Sequence, residues 1–442
     1  MKDKIKLKLS TNQRQGVALY FLISLCQIAI YYIFKDQISK MNEVGLVYAP
    51  NSTPLTLPFG IALTSCFVCI LPPRIDRFLC ISIWIMYLLL VMPGCVMIYS
   101  LGFEHLFLDF CLYIVLPIAV MSALLKQRGF AKITAAPWNI DRRIIQIIIA
   151  LAMTTGGYLF VIKFNTLSFD FLDVYTRRFA ERSTAKTLDA YLLSAFSGAL
   201  APFLLAYGLQ CRDRWIVSMS ILGFILVFCI EGTKASLFIP CILILTHFAI
   251  KFKLYTPLKL ITVILIGLAA SYLIDNYDLH LNGLRRIICA PMVTICWYFE
   301  YFPNSGFLWG RDMFLVSFLT SSDILPSPGM QTGDVYFGTG GGTNNNANAF
   351  SVGFAEGGTI GAWISALLLF FCLSLFEKVT RKSPVEFAVL IAIPLAFRFC
   401  EQGLHTAMLS GGVVVLFLIL LIVNLQPRNA YQKCGSLLPR MQ

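Results

Sequence analysis

Apolar runs long enough to cross about 30 Å of hydrocarbon recur from one end of this chain to the other, separated by short polar stretches. Roughly twelve such runs are present. Their cores cover residues 16–34, 57–71, 78–98, 106–125, 144–162 and 188–209, then 215–230, 235–250, 258–274, 359–376, 385–399 and 411–425. Within a bilayer core such a run satisfies every backbone donor and acceptor only as an α-helix. The pattern therefore predicts an all-α fold, a polytopic membrane helical bundle of about twelve transmembrane helices that forms a single integral membrane domain over residues 1–442.

The polar stretches carry an orientation signal. Lys2, Lys4, Lys6, Lys8 and Arg14 precede the first run, and every second connection after it is basic as well. These connections hold Arg74 and Arg77; Lys126, Arg128, Lys132, Arg142 and Arg143; Arg212 and Arg214; Lys251 and Lys253; and Lys378, Arg381 and Lys382. Arg428, Lys433 and Arg440 follow the last run. By the positive-inside rule these connections and both termini are cytoplasmic. A basic start followed by an apolar run also describes a signal peptide, but no small-residue cleavage site follows, so the run is read as a retained first helix.

Composition agrees: 58% of residues are hydrophobic, 13% are charged and the mean hydropathy is +0.75, outside the range of soluble domains. The net charge of +12 is largely the orienting signal and gives no support to nucleic-acid binding. Most of the fourteen cysteines fall within or beside apolar runs, with no Cys/His cluster at metal-ligand spacing. Cys289, Cys296 and Cys400 are the ones placed near the outer face, where a pairing is chemically allowed.

Two of the six outward connections are large, residues 163–187 and 275–358, and long connections in ordered proteins tend to carry function. The first holds Arg177, Arg178, Arg182 and Lys186, cations on the side where topology rules predict few. As a helix it forms a basic ridge, since Arg178, Arg182 and Lys186 are one turn apart. Guanidinium groups pair bidentately with phosphate oxygens, so the ridge suits a diphosphate. The bland reading is a solvated helix neutralised by Glu181, Asp170, Asp173 and lipid head groups.

In the second connection, residues 284–302 are too apolar for water: Ile287, Ile288, Met292, Val293, Ile295, Trp297, Tyr298, Phe299, Tyr301 and Phe302 crowd around Pro291. This stretch is expected to be an interfacial or re-entrant helix with an aromatic belt. Arg285 and Arg286 open it and Arg311 follows it, either as anion ligands or as snorkelling head-group contacts. Next comes a Gly/Asn run with Asn344, Asn345, Asn346 and Asn348. It lacks the Gly-Lys-Ser/Thr ending of a nucleotide loop; asparagine amides both donate and accept, as sugar hydroxyls require, while a plain linker is the competing reading. It runs through Glu356-Gly357-Gly358 straight into the next apolar run.

Two further groups sit at the outer boundary. Glu231 and Lys234 flank a tight turn at Gly232-Thr233, close enough to pair with each other. Arg398, Glu401 and His405 share one helical face if the helix continues that far. His105, His247 and His280 show no partner at a telling spacing.

This layout resembles the O-antigen (oligosaccharide repeat-unit) polymerases of Gram-negative bacteria, the Wzy family. The resemblance covers most of the chain. It rests on about twelve spans, cytoplasmic termini, enlarged arginine-bearing third and fifth outer loops, the small-residue plus cation turn at Gly232-Thr233-Lys234-Ala235-Ser236, and an Asn-containing segment ahead of a Gly-rich helix entrance at residues 344–361. O-antigen ligases share the layout but commonly carry a histidine where this chain has Asn344 to Asn348, which favours the polymerase.

The resemblance implies a GT-C-like helical fold in the bacterial inner membrane with its active face in the periplasm. It also implies a glycosyltransferase that needs no metal and no cofactor and that joins undecaprenyl diphosphate-linked oligosaccharides, with a chain-length regulator protein as a further partner. Arg177, Arg178, Arg182, Lys234, Arg285, Arg286, Arg311 and Arg398 then form the diphosphate-binding pool, and the four asparagines hold glycan. Glu231, Glu356 and His405 are the candidate bases. The competing classes are another lipid-linked sugar transferase, including the ligase, and a lipid flippase or transporter. Against the last, the spans hold few ionisable groups, Asp109 being the nearest to one.

Overall fold

The computed structural model describes residues 11–41, 45–50, 56–127, 140–170, 187–252, 256–274, 280–313, 316, 319–320, 323–338 and 343–424. Among these residues every regular element is helical. Each of the expected apolar runs falls on a helix, and eight helices are long and apolar enough to cross a membrane. The chain is thus a polytopic helical membrane protein. Thr56–Cys69, Ala235–Lys251 and Val413–Asn424 are shorter apolar helices, and Val385–Glu401 has 17 residues.

Local sequence shapes several of these helices through proline. Four stretches widen to the π form, Tyr87–Val91, Cys111–Val115, Phe196–Leu200 and His280–Cys289, and each is followed two residues later by a proline: Pro93, Pro117, Pro202 and Pro291. Proline has no N–H to donate and its ring crowds the carbonyl one turn back. Widening that turn keeps the helix continuous. Pro240 and Pro394 sit inside helices without such a bulge.

The chain divides into two compact units. The first comprises residues 1–130, 249–372 and 396–404. Its central helix is Phe78–Ser100, where Trp84, Tyr87 and Phe78 are fully buried. A polar clasp ties it to two neighbours: Gln27, itself 0% exposed, donates to Met92 O at 2.9 Å and to Thr64 Oγ1 at 2.5 Å, while Tyr87 donates to Thr64 O at 3.0 Å. In a medium without water each of these groups needs its partner inside the protein.

The second unit comprises residues 131–248, 373–395 and 405–442. Here the Phe196 ring packs against Gly156 and Gly223, glycines whose lack of a side chain makes the room. Ser220 donates to Ala201 O at 2.7 Å, and His247 Nδ1 meets Glu386 Oε1, a partner that spacing along the chain did not disclose.

Among the described residues of the stretch 275–358, helices cover 280–305 and 328–337. Within the stretch 284–302, residues 292–299 are buried, while Arg286 and Ile287 near its start are exposed. In the Ala290–Ser305 helix Met292, Ile295, Trp297, Tyr298, Phe299 and Phe302 are all buried inside the first unit. Their aromatic content reflects packing, since large rings bury the most apolar area per residue. Cys289, Cys296 and Cys400 are buried free thiols.

A second difference lies at the expected span over 359–376. The helix there, Ala349–Thr380, is broken at Gly357 (φ −158°, ψ 32°) and Gly358 (φ +59°, ψ −139°). The chain folds back at this point. Ser365 Oγ donates to Ala349 O at 2.7 Å, and a Cβ on Gly353 would lie 2.8 Å from Gly361 O. Residues 349–356 thus form a buried helix about 12 Å long, set against the start of a second, 359–380, about 33 Å long. Only the second is long enough to span.

Main chain touches main chain in this hairpin, so its glycines are steric requirements. A Cβ on Gly361 would overlap the Gly353 carbonyl oxygen. Gly361→Ala is expected to lower stability by about 1–3 kcal/mol, as overpacking does. Gly157→Ala, where a Cβ meets nothing within 4 Å, is the neutral control. Thermal unfolding of the detergent-solubilised protein, read by size exclusion after heating, measures both.

Candidate functional site

The hairpin tip is where polar chemistry gathers in the first unit. Asn348 starts the short helix as an N-cap: its Oδ1 accepts from Phe350 N and Ser351 N, both at 3.0 Å, and its Nδ2 donates to Ser351 Oγ at 3.1 Å. The other end is Glu356, followed by the reversal at Gly357-Gly358.

A strap from the end of the Ala290–Ser305 helix closes over that end. Gly306, at φ +96°, terminates the helix, and two residues later the strap amides reach the hairpin. Leu308 N donates to Ala355 O at 3.0 Å and Trp309 N to Glu356 O at 2.6 Å, so the last carbonyls of the short helix are not left orphaned. Gly310 N donates to the Glu356 carboxylate itself, Oε2, at 2.7 Å. Trp309 takes a left-handed backbone (φ +54°), which costs a non-glycine residue about 1–2 kcal/mol. Its ring packs on Gly357, and Phe307 packs on Gly358.

The strap also delivers Asp312, a residue that no sequence spacing singled out. Its carboxyl group lies beside that of Glu356, with one oxygen of each within 4.8 Å of the other. Two carboxyl groups bond to one another only when one of them carries the proton. Glu356 Oε1 is buried and has no hydrogen-bond partner among the described residues. Proton sharing between the two carboxyl groups is the chemistry that their close approach allows.

The asparagines divide by role. Asn345 is a structural link: its N donates to Gly329 O at 2.7 Å, its carbonyl accepts from Tyr298 Oη at 3.0 Å, and its Oδ1 accepts from Thr294 Oγ1 at 2.7 Å. Asn348 is 1% exposed and occupied in capping. Asn344 Oδ1 and Asn345 Nδ2 are buried without a protein partner, and Asn346 is exposed.

Tyr336 adds a group that spacing did not flag. It stacks on Trp297 with centroids 4.5 Å apart and donates to Glu300 Oε2 at 3.0 Å. Burial, and then the Glu300 carboxylate, push its hydroxyl above the usual tyrosine range, so it stays a donor.

The first unit also holds Arg285, Arg286, Arg311 and Arg398. Arg286 and Arg311 are exposed, while Arg285 and Arg398 are half-buried. Arg286 and Glu401 line a groove of about 240 Å³ whose walls are Leu89, Leu90, Ile287 and Phe397. The expected single face through Arg398, Glu401 and His405 is interrupted. The helix ends at Glu401, and a separate turn, Leu404–Leu409, begins after Gly403. His405 belongs to the second unit.

In that second unit Glu231 is the last residue of the Arg214–Glu231 helix, with Gly232 left-handed (φ +66°) as its C-cap. Thr233 Oγ1 donates to Glu231 Oε2 at 3.1 Å and lies 2.7 Å from Ser236 Oγ, while Lys234 sits within the same turn. The start of the basic connection docks nearby, through Ser168 N to Cys229 O at 3.2 Å and Phe169 on Phe228. Arg177, Arg178, Arg182 and Lys186 lie outside the described residues. Cys66 and Cys69 make a Cys-x-x-Cys pair of exposed free thiols far along the chain from these groups.

Asn348→Ala is expected to destabilise the protein by about 1 kcal/mol, the usual value of an N-cap, and Asn348→Asp to restore most of it, because the carboxylate oxygen still accepts both amides. Thermal unfolding of the two variants measures this. In comparisons with protein-family models, curated proteins and solved structures, no match to this chain is found.

Proposed function

We propose that the chain is a membrane glycosyltransferase of the O-antigen polymerase kind, joining oligosaccharide repeat units carried on a lipid diphosphate at the periplasmic face of the bacterial inner membrane. The observation that carries this reading is Glu356, paired with Asp312 at the tip of a helical hairpin that continues directly into a membrane-crossing helix. Transfer between lipid-linked sugars needs an acid/base group at the end of a membrane helix, where the lipid head and the glycan meet.

The reaction balances as follows. An acceptor hydroxyl oxygen attacks the anomeric carbon of the donor sugar, and the bond from that carbon to the diphosphate oxygen breaks. The electron pair leaves with the diphosphate, and the hydroxyl proton passes to a base. Glu356 is the base this reading favours, with Glu231 and His405 as the other carriers of that chemistry. Arginines neutralise the charge that develops on the diphosphate. Arg285, Arg286, Arg311 and Arg398 belong to the same unit as Glu356; Arg177, Arg178, Arg182 and Lys234 complete the pool. Asn344 and Asn346 supply hydrogen bonds to sugar.

One observation favours a second reading. Helices broken inside a membrane protein also mark transporters, where they build the substrate site. Under that reading the hairpin belongs to a lipid-linked sugar flippase.

Deleting the gene and running surface polysaccharide on a gel separates the two. A single repeat unit on the lipid core is expected for a polymerase, and none for a flippase or a ligase. Glu356→Gln keeps an acceptor for Gly310 N, so the protein is expected to insert normally. Long chains should nonetheless fall by about 10²–10⁴-fold in rate, the usual weight of a general base. Arg177→Gln with Arg178→Gln should likewise leave insertion intact and abolish long chains; unchanged chain lengths in both variants would remove the assignment.

A further inference from the structure

One short helix of the first unit is packed inside out. Pro328–Phe337 turns its smallest residues inward, with Pro328, Gly329, Thr332 and Gly333 buried. The two glycines press on residues 343–345: a Cβ on Gly329 would overlap Asn344 Oδ1, and one on Gly333 would overlap the Thr343 carbonyl oxygen. Val335 and Met330 of this helix face out, 57% and 38% exposed, while Phe337 is 37% exposed with its ring edge-on to the buried Trp297. Upstream, Ile324 is 56% exposed and Trp309 62%.

In water this arrangement is unfavourable by about 25 cal/mol for each Å² of apolar surface left exposed, and a helix facing water shows the opposite polarity. The Ala290–Ser305 helix of the same unit does bury its large apolar residues, so the fold is able to cover such side chains when water is the alternative. The exposed set therefore faces a medium that is not water.

Lipid is that medium, by continuity. The Trp309 ring lies against Gly357, at the turn from which the 359–380 helix sets out. That helix begins an exposed apolar stripe of Ile360, Ile364, Leu367 and Phe371, the face a membrane-crossing helix shows to acyl chains. Trp309, 62% exposed, stands at the turn that leads into this stripe. It does so beside exposed Arg311, and tryptophan with arginine is the pairing that the membrane–water boundary selects.

We infer that Trp309, Ile324 and the outer face of the Pro328–Phe337 helix dock on the bilayer crossed by the 359–380 helix, at the boundary of head groups and acyl chains. Lipid contact there holds the strap, and with it the hairpin tip, at a defined depth. This inference stands apart from the polymerase assignment, since it concerns the surface and not the reaction.

The test uses the full-length protein in nanodiscs of phosphatidylcholine and phosphatidylglycerol. Photoreactive benzoylphenylalanine is placed singly at Ile324, at Val335 and, as the lipid-facing reference, at Ile364. Irradiation and mass spectrometry are expected to give lipid adducts at Ile324 and Val335 at yields within about threefold of Ile364. Brominated lipid should also quench wild-type fluorescence more than that of Trp309→Phe, a variant that needs no photoreactive residue. Adducts at Ile364 with none at Ile324 and Val335, or adducts there that join two polypeptide chains, would overturn the inference.

Discussion

The close approach of main chain to main chain at Gly353 and Gly361 is the contact on which the rest of the candidate site depends. A side chain at either position would push residues 349–356 away from the start of the next helix. The reversal at Gly357-Gly358, the exit of Glu356 toward the strap and the seat of Trp309 on Gly357 all follow from that contact. In a membrane protein it has extra weight, because helices surrounded by lipid gain little from burying apolar surface and associate instead through close packing and hydrogen bonds. The hydrogen bond from Ser365 to Ala349 O supplies the second of these.

A broken helix leaves carbonyls without partners, and their satisfaction organises the surroundings. Leu308 N and Trp309 N fill two of those positions, and the strain of a left-handed tryptophan is the cost of reaching them. The same strap then brings Gly310 N and Asp312 to the Glu356 carboxyl group. Backbone satisfaction and candidate chemistry are thus a single construction. The π bulges ahead of Pro93, Pro117, Pro202 and Pro291 solve a related problem in another way, by widening a turn rather than recruiting an outside donor.

The functional reading draws on two kinds of support. Charge placement along the chain and the polar hairpin tip suit proton transfer and anion binding next to a bilayer. The identity of the transferred group rests on the resemblance in layout. Glu356 is a candidate base on position alone, and Asp312 places a second carboxyl group beside it. Among the asparagines, capping and linking occupy Asn348 and Asn345, which concentrates any sugar contact on Asn344 and Asn346.

By itself the sequence determined the all-helical class and the positions of the apolar helices. Both follow from local chemistry, the length of an apolar run and the need of its backbone for internal partners. Tertiary structure decided what local chemistry leaves open. An aromatic run such as 290–302 has the same composition whether it lies on a membrane or in a core, and only its neighbours distinguish the two. A Gly-Gly pair permits a reversal without requiring one; the contacts from 353 to 361 and from 349 to 365 select it. Asp312 and Glu356 meet across more than forty intervening residues, a distance that no periodicity of helix or strand encodes.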